Sequence, residues 1–537
     1  MAESTSTRPP EDSTEEQNNS TGFLGAVEKI GNKLPNPFWL FVILAAVVAV
    51  VSWIGSLAGM SAEDPSSGET VEVESLLTAD NISRMVTDAV ENFISFPPLG
   101  VILSVMLGVA VAEQTGMLSA LVRAMVAKVS PKILTFMVAL AGVTGSVASD
   151  AIYVIIIPLG AMAFYAVGRS PIVGAMVAFA ASSAGFNASL ILNITDLLLA
   201  GISTSAAQLV DEEYTVSPLA NIFFVIPSAI VLSLLITAIT EFFVDKKARQ
   251  IVDHDAIDED ELSFSNATES DSPDDADDDQ LELSPTESKA LKATGLVFLA
   301  FLAVFFLLLF VPASPLSTPE EGFMESPLIT DIAVPIALGF FLCGLTYGLI
   351  AKTISSAGDI PDMMATGLKT LLPMLVLFFA VSQFLAWFEW SNLGTWIAIR
   401  GSELLQRWDL PVVLLFAGFV LMVALINLFL TSGSAQWALM APVVVPMMMY
   451  VGIAPEVTQM LFRIGDSPTN IITPMSPYFA VALTFLQRYY KKAGVGTLMS
   501  LALPYSLTMV IGWFIFFVIW YFLGIPLGPG SPMHYEV

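Results

Sequence analysis

Three charged residues stand in otherwise apolar stretches of the sequence, and they indicate where its chemistry takes place. Arg463 and Asp466 lie in LFRIGDSPTNIITP, and Asp196 closes LILNITD. A charged side chain in hydrocarbon costs at least about 2.5 kcal/mol unless it lines a cavity or has a partner. Arg463 is a candidate carboxylate-binding group, because a guanidinium matches a carboxylate with two parallel N–H donors. Asp466 shares its helix face, and it either holds Arg463, accepts a substrate amine or only neutralises the charge.

Asp196 has no basic neighbour in the sequence and lies in a stretch interrupted by Gly185, Asn187 and Asn193. Because desolvation favours the neutral form of a carboxyl group, Asp196 is a candidate for protonation or cation coupling. Asp150 in GSVASD has the same character with a weaker signal. Sodium is the alternative coupling ion, and the side chains that offer oxygen atoms for it are Ser149, Asn187, Asn193 and Asn470.

Clusters of small polar residues interrupt two apolar runs at GSVASD and TSGSAQ, residues 145–150 and 431–436. Backbone that is not helical at membrane depth is tolerated where it is buried in protein or lines water. Such tips leave N–H and C=O groups free for a solute, and Ser434 is a candidate ligand; tight helix packing is the alternative role of these serines. Trp437 follows the second tip, where it either stacks on an aromatic solute or packs in the core.

The composition predicts the elements that must position these residues. The chain has 537 residues, 55% of them hydrophobic, and several apolar runs long enough to cross a bilayer. One cysteine excludes a disulfide framework, and the two histidines lie in polar segments. No phosphate-binding lysine loop and no nucleophile–base–acid set is present. We therefore expect a multi-pass plasma-membrane protein that is not an enzyme, with no cofactor, no tightly bound transition metal and no nucleic-acid partner.

The predicted fold is an all-α polytopic membrane protein with nine transmembrane helices and two re-entrant hairpins in an inverted repeat, two spans being broken in mid-membrane. The first membrane half, 37–241, contains a hairpin at 131–168 and a broken span at 172–199. The second half, 291–523, contains a hairpin at 411–450 and a broken span at 455–487. The remaining segments are a polar cytoplasmic N-terminus, an acidic disordered cytoplasmic loop and a C-terminal tail, at 1–36, 242–290 and 524–537.

The order of features is the same in both halves, and each half presents a Ser-rich hairpin tip followed by a broken span. Repeated broken segments at corresponding positions indicate the midplane site of a secondary transporter. With the N-terminus in the cytoplasm and the C-terminus outside, 17 of the 21 Lys and Arg lie inside and one, Arg463, is embedded. This distribution follows the positive-inside rule and lets the two hairpins enter from opposite faces.

The net charge of −28 is concentrated in one loop. Residues 251–287 contain fifteen Asp or Glu and no Lys or Arg. This composition is typical of a disordered linker, and docking of a basic partner is the alternative.

Five motifs resemble the AbgT family of aminobenzoyl-glutamate transporters: KLPNPFWLFVILA, SVASDAIYVIIIPLGAMAFYAVGRSP, ITDLLLAGI, SGSAQWALMAPVVVPMM and RIGDSPTNIITPMSPYF. The resemblance runs from about Glu28 to Phe522, and the last two motifs are the most specific. It implies a homodimer of nine-helix subunits with two hairpins, moving p-aminobenzoyl-glutamate, with export of sulfonamides and proton or sodium coupling in some members. The substrate-handling residues it implies are Asp196, Ser434, Trp437, Arg463, Asp466 and Pro474. The acidic loop departs from the family.

We therefore predict a secondary active transporter, antiporter or symporter, of p-aminobenzoyl-glutamate and related folate-pathway compounds, driven by a proton or sodium gradient. Its partners are a small aromatic carboxylate and the lipid bilayer. A sodium-coupled carrier of another carboxylate is the alternative, since hairpins with broken helices serve many anions. A channel is a weaker alternative, because the sequence shows no repeated ring of charges.

Overall fold

The chain is mostly helical in the computed structural model, with one two-stranded antiparallel sheet, β1 and β2, at Ser61–Glu63 and Thr70–Glu72. The residues that the structure describes are 35–536 except 66, 67, 69, 127, 128, 149, 150, 253–282, 319–322, 324, 325 and 409.

The first half of the chain forms helices α1 to α11. Their bounds are Pro37–Leu57, Ala79–Thr87, Ala89–Ile94, Pro97–Gln114, Met117–Val126, Leu134–Thr144, Ala151–Ala166, Pro171–Phe179, Ile194–Ala207, Ile222–Ile239 and Asp245–Ile251. A 3-10 turn, Gly145–Ala148, follows α6. π-helical turns follow α8 and α10, at Ala180–Ala184 and Thr240–Val244. Irregular turns of this kind often accompany functional sites.

The second half forms helices α12 to α22. Their bounds are Pro285–Phe310, Pro327–Thr330, Ala333–Ala351, Asp359–Thr370, Leu372–Trp390, Leu393–Trp408, Val412–Asn427, Gly433–Met449, Pro455–Asp466, Pro477–Tyr489 and Val495–Phe522. The 3-10 helix Ser467–Ile472 separates α20 from α21. Both predicted broken spans are thus interrupted, by 185–193 between α8 and α9 and by 467–476 between α20 and α21.

Seven helices among the described residues are long and apolar enough to cross a membrane: α1, α4, the continuous helix Ile222–Gln250, α12, α14, α16 and α22. The helices of the two predicted hairpins and of the broken spans are shorter, because the polar breaks divide them. The count of nine crossings, the re-entrant hairpins and the inverted repeat stay predictions.

Small residues allow the closest helix contacts. Where α4 meets α14, a Cβ at Gly108 would stand 1.9 Å from the carbonyl oxygen of Ala337, and one at Gly344 would stand 2.6 Å from the Ala112 nitrogen. Each helix therefore contributes a glycine that lets its partner's backbone approach, as is common between helices in membranes.

The hairpin helices pack on the broken spans. α7 packs against α8, while α19 packs against α9 and α18 against α20. α22 contacts the 3-10 helix 467–472 and α10. Each break is consequently enclosed by helices from both halves of the chain, which places the polar residues of both breaks in the interior.

One end of the molecule, here called the tail face, is formed by segments 61–64, 208–223, 450–454 and 524–536. The Phe223 amide donates to the Leu527 carbonyl at 2.8 Å, and the Tyr535 amide donates to the Gly452 carbonyl at 3.1 Å. At the opposite end Arg169 pairs with Glu241 at 2.8 Å. The side of the membrane that each end faces stays a prediction from the charge distribution.

Several local features differ from the sequence-based expectation. The segment 61–92, between the first two long apolar helices, contains β1, β2, α2 and part of α3. The predicted acidic loop 242–290 is helical at both ends, since α11 continues to Ile251 and α12 begins at Pro285 with a Ser284–Glu287 capping box. The acidic residues 253–282 lie outside the described part of the chain.

A further helix, α15, was not predicted, because its 12 residues are too polar to read as a span. Asp359 starts it by accepting hydrogen bonds from the backbone N–H and hydroxyl groups of Ser355 and Ser356. These donors hold the pKa of the exposed Asp359 carboxyl below its usual range. The carboxylate thereby satisfies amides that precede the first turn of the helix.

Candidate functional site

The two broken spans meet through a buried ion pair. Arg463 Nη1 on α20 donates to Asp196 Oδ1 on α9 at 2.6 Å. Arg463 is 1% exposed and Asp196 4%. Asp196 is held by a capping box: its Oδ2 accepts from the Asn193 amide at 2.8 Å, and the Asn193 side chain accepts from the Asp196 amide at 3.1 Å. The break in the first span thus orients the carboxylate toward the second span.

In a second contact between the two broken spans, the donor lies in the first span and the acceptor in the second. Asn187 Nδ2 of the first break donates to Asp466 Oδ2 of the second at 2.9 Å. The neighbouring Ser467 hydroxyl donates to the Ala184 carbonyl at 2.9 Å and accepts from the Asn187 amide at 3.3 Å. Ser467 of the second break therefore satisfies backbone groups that the first break leaves without helical partners, and Asn187 of the first break binds the Asp466 side chain in return.

Arg463 pairs across the spans rather than along its own helix. Asp466, three residues on, accepts from Asn187 instead, and within the described residues the guanidinium has its ion pair with Asp196. Arg463 Nη1 also donates to the Asn187 carbonyl at 3.4 Å, while Nε has no hydrogen-bond partner. A buried guanidinium with an unused donor retains capacity for a further acceptor, such as a solute oxygen.

Asn427, at the end of α18, ties the first helix of the second predicted hairpin to the second break. Its Nδ2 donates to the Asp466 carbonyl at 2.6 Å, to Thr469 Oγ1 at 2.8 Å and to Asn470 Oδ1 at 3.2 Å. Since these are all oxygen atoms that accept hydrogen bonds, they fix the amide orientation and leave Asn427 Oδ1 directed elsewhere.

Three buried oxygens in this cluster have no hydrogen-bond partner among the described residues: Asn187 Oδ1, Asn427 Oδ1 and Asp466 Oδ1. They belong to residues that are bonded directly to Asp466 or are Asp466 itself. An unsatisfied buried polar atom costs about 1–3 kcal/mol. A carboxylate and amide oxygens are ligands that hard cations prefer. Na⁺ accepts oxygen ligands of this kind, and a sodium ion at these atoms stays a prediction.

The tip of the second predicted hairpin lies against this cluster. A Cβ at Gly433 would stand 3.0 Å from Asp466 Oδ2, so the Asp466 carboxylate touches the tip backbone. Ser432 and Ser434 follow at the start of α19, with their hydroxyl oxygens 3.5 Å apart. Ser434 is half-buried and therefore stands at the edge of the polar cluster.

Trp437 is wholly buried, one turn further along α19. Its ring packs on Phe462 with centroids 4.6 Å apart, and its indole Nε1 donates to Ser203 Oγ at 2.9 Å. The Ser203 hydroxyl donates in turn to Gln459 Oε1 at 2.7 Å. In this conformation the indole is a core residue, and its stacking on a solute stays a prediction that requires the hairpin to move.

The other predicted residues have different positions. Asn193 Nδ2 donates to the Phe186 carbonyl at 3.3 Å and approaches Ser146 of the first tip at 3.5 Å. Pro474 is half-buried just after the second break. Ser149 and Asp150 lie outside the described residues. A pocket beside Asn193 is otherwise apolar, lined by Val105, Val109, Val147, Leu192, Ile194, Leu197, Ile336 and Phe340.

Sequence reasoning missed five residues of these networks: Ser203, Asn427, Gln459, Ser467 and Asn221, whose Oδ1 accepts from Gln459 Nε2 at 2.8 Å. Asn427 carried a signal, since it is the single polar residue of the run VVLLFAGFVLMVALIN. Gln459 carried another, because it shares a helix face with Arg463. The other three carried none, because their partners are remote in sequence.

The polar cluster is closed to solvent in this conformation: Asp196, Arg463 and Asp466 are each less than 5% exposed. The arrangement offers a cation for an anionic group, a carboxylate for a cation, and two hairpin tips beside them. These are the properties of an occluded solute site between two broken helices.

Comparison with known proteins gives a consistent result. The model of the family described as "AbgT putative transporter family" matches residues 22–535. The p-aminobenzoyl-glutamate transport protein of Escherichia coli K12 is 36% identical over 507 residues, which cover 94% of this chain and 96% of that protein.

Two solved structures are similar over most of the chain. MtrF of Neisseria gonorrhoeae, described in connection with a class of antimetabolite efflux pumps, has a TM-score of 0.86 and 39% identity, covering 95% of this chain and 100% of its own. The YdaH transporter of Alcanivorax borkumensis has a TM-score of 0.82 and 38% identity, covering 92% and 100%.

Proposed function

This chain belongs to the AbgT transporter family, and we propose that it is a secondary active transporter of p-aminobenzoyl-glutamate and related aromatic carboxylates. Membrane transport is the activity of the family, and the helices of the chain provide apolar spans for it. The similar E. coli protein carries p-aminobenzoyl-glutamate in its name, while MtrF is linked to antimetabolite efflux. The solute class, including sulfonamides, is our inference for this chain.

The observation that carries the proposal is the buried Arg463–Asp196 pair between the two breaks. A solute carboxylate can take the place of Asp196 on the guanidinium, because both offer the same planar pair of oxygens. Asp196 would otherwise be left buried and unpaired, which costs about 3–5 kcal/mol, so we propose that the exchange is coupled to neutralisation of the Asp196 carboxylate. The pair is therefore a ready site for an anionic solute that enters when one hairpin withdraws.

The contacts of the two predicted hairpin tips with the two breaks support a mechanism of alternating access. Gly433 at the second tip touches Asp466, and Ser146 at the first tip approaches Asn193. Withdrawal of either tip opens the polar cluster toward one side. We retain as proposals the nine crossings, the cytoplasmic N-terminus, the external C-terminus, the plasma-membrane location and the homodimer.

Two coupling sites are consistent with the geometry. The unpaired oxygens of Asp466, Asn427 and Asn187 fit a sodium ion at the second tip. Asp196 is the proton candidate, since its protonation frees Arg463 for the solute. The first site depends on sodium and the second on pH. Solute accumulation measured under a sodium gradient and under a proton gradient therefore separates them.

A sodium-coupled carrier of a different carboxylate would use the same Arg463 and the same cation site. Direct binding to the purified protein separates the two solute classes. We expect p-aminobenzoyl-glutamate to bind more tightly than glutamate alone, because the aromatic ring contributes apolar burial. Equal affinity for aliphatic carboxylates would favour the other carrier, and no saturable binding of any tested acid would contradict the proposed function.

A further inference from the structure

Helix α20 carries a polar stripe through a fully buried environment. All of its 12 residues are buried, yet Glu456, Gln459, Arg463 and Asp466 recur at spacings of three and four residues, which place them on one helix face. The stripe begins at the tail face and ends at the ion pair. Glu456 lies roughly 10 Å from Arg463 along the axis, given about 1.5 Å of rise per residue.

Glu456 is a buried acid without a cationic partner. It is 3% exposed, and among the described residues no Lys, Arg or His forms an ion pair with it. The Tyr214 hydroxyl donates to its carboxyl group, with distances of 2.9 and 3.2 Å to the two oxygens. Burial without an opposite charge favours the neutral carboxylic acid over the carboxylate.

Tyr214 separates Glu456 from solvent. It is half-buried in the segment 208–221, and its ring meets Tyr535 of the C-terminal tail edge-on at 5.8 Å. Asp211 lies near Tyr214 on the same segment. Movement of this segment or of the tail would bring water to Glu456. The other titratable groups on the helices packed against α20 are Asp196, Tyr505 and Tyr521.

The stripe also connects Glu456 to the second hairpin through hydrogen bonds whose direction is fixed. Asn221 Nδ2 donates to the Glu456 carbonyl at 3.0 Å, so Asn221 Oδ1 accepts from Gln459 Nε2 at 2.8 Å. Gln459 Oε1 is then the acceptor for Ser203, whose oxygen accepts from Trp437. This chain of bonds starts at the Glu456 main-chain carbonyl, so a shift of this end of α20 would be transmitted to the contacts that hold Trp437.

We propose that Glu456 is a proton-binding site of the transport cycle, separate from the solute site at Arg463. It takes a proton from water when the tail face closes and becomes the neutral acid. It returns the proton to water at the tail face when opening hydrates the carboxylate. The site links proton binding to the conformation of the tail face, and it is additional to the proton candidate Asp196 at the ion pair. This inference rests on the proposed transport function.

The test uses the full chain in proteoliposomes with labelled p-aminobenzoyl-glutamate. Solute counterflow at equal pH reports the carrier function, and accumulation under an imposed pH gradient reports proton coupling. Glu456→Gln mimics the neutral acid. We expect this variant to retain solute counterflow and to lose the accumulation that a pH gradient drives in the wild-type protein. The rate of its counterflow should no longer depend on the pH at the tail face. Glu456→Asp should retain the driven component, and Asp211→Asn is the matched control.

Gradient-driven accumulation at the wild-type level in Glu456→Gln would overturn the proton site. Loss of counterflow in Glu456→Gln and Glu456→Asp alike would also overturn it, because Glu456 would then be a structural anchor. If Glu456→Gln does not fold, Tyr214→Phe replaces it, and unchanged pH dependence in that variant contradicts the proposal. Absent counterflow in the wild-type protein contradicts the proposed solute instead.

Discussion

At the scale of single residues, the site contains one buried guanidinium, that of Arg463, and two buried carboxyl groups, those of Asp196 and Asp466. Arg463 neutralises Asp196, whereas Asp466 has one oxygen bonded to Asn187 and the other without a partner. The two carboxylates therefore have different roles available to them. Asp196 competes with a solute for the guanidinium, and Asp466 offers a ligand to a coupling cation.

Replacement of Arg463 should discriminate between solutes according to charge. We expect Arg463→Lys to weaken binding of p-aminobenzoyl-glutamate by about 1–3 kcal/mol, because Lys provides a point charge in place of a two-pronged donor. A neutral sulfonamide should lose less. Calorimetric titration of both ligands measures the difference, and an equal loss for both would indicate that Arg463 has a structural role.

Sodium should stabilise the protein through Asp466. A ligand present at about 100 times its Kd stabilises a folded protein by about 2.7 kcal/mol, so the Tm should rise in NaCl relative to KCl. Asp466→Asn and Asn427→Ala should remove this rise, while exposed Asp80→Asn should keep it. A sodium-dependent Tm rise that persists in Asp466→Asn would place the cation elsewhere.

At the scale of elements, the long-range polar contacts were the least predictable part of the structure. Hydropathy predicted several apolar runs long enough to cross a bilayer, and seven helices of this kind are present among the described residues. Hydropathy also located both breaks, because polar residues interrupt apolar runs there. Hydropathy could not show that Trp437 would bond to Ser203, or that Arg463 would pair with Asp196 instead of Asp466, since these contacts depend on how the three helices α9, α19 and α20 meet.

The Trp437–Ser203 bond joins the second predicted hairpin to the first broken span. A double-mutant cycle with Trp437→Phe and Ser203→Ala should give a coupling energy of about 0.5–1.5 kcal/mol, the usual value for a hydrogen bond. Thermal unfolding in detergent measures it. Strictly additive effects would show that the two elements are not coupled through this bond, and Ser205→Ala on the same helix is the control.

At the scale of the whole molecule, the two ends are held together by different kinds of contact. The tail face is closed by main-chain bonds from the C-terminal tail, whereas the opposite end is held by the Arg169–Glu241 pair and by Lys247 donating to the Ser500 carbonyl at 2.8 Å. The distribution of Lys and Arg along the sequence predicts that the second end is cytoplasmic.

Cysteine labelling tests this orientation. The single native cysteine is buried, and Cys343→Ala provides a background without thiols. In intact cells we expect a membrane-impermeant maleimide to label Glu213→Cys at the tail face. Lys246→Cys should be labelled only after the cells are permeabilised. Both positions are exposed, so accessibility depends on the side of the membrane. The reverse pattern would invert the proposed topology.

Accumulation of labelled p-aminobenzoyl-glutamate in proteoliposomes tests the central claim most directly. With an imposed proton or sodium gradient we expect the wild-type protein to concentrate the solute, and an ionophore that dissipates the gradient should abolish this. Arg463→Ala should not concentrate it, and Asp196→Asn should lose the proton-driven part. Flux that only equilibrates the solute, at the same rate with and without a gradient, would contradict the account of a coupled carrier.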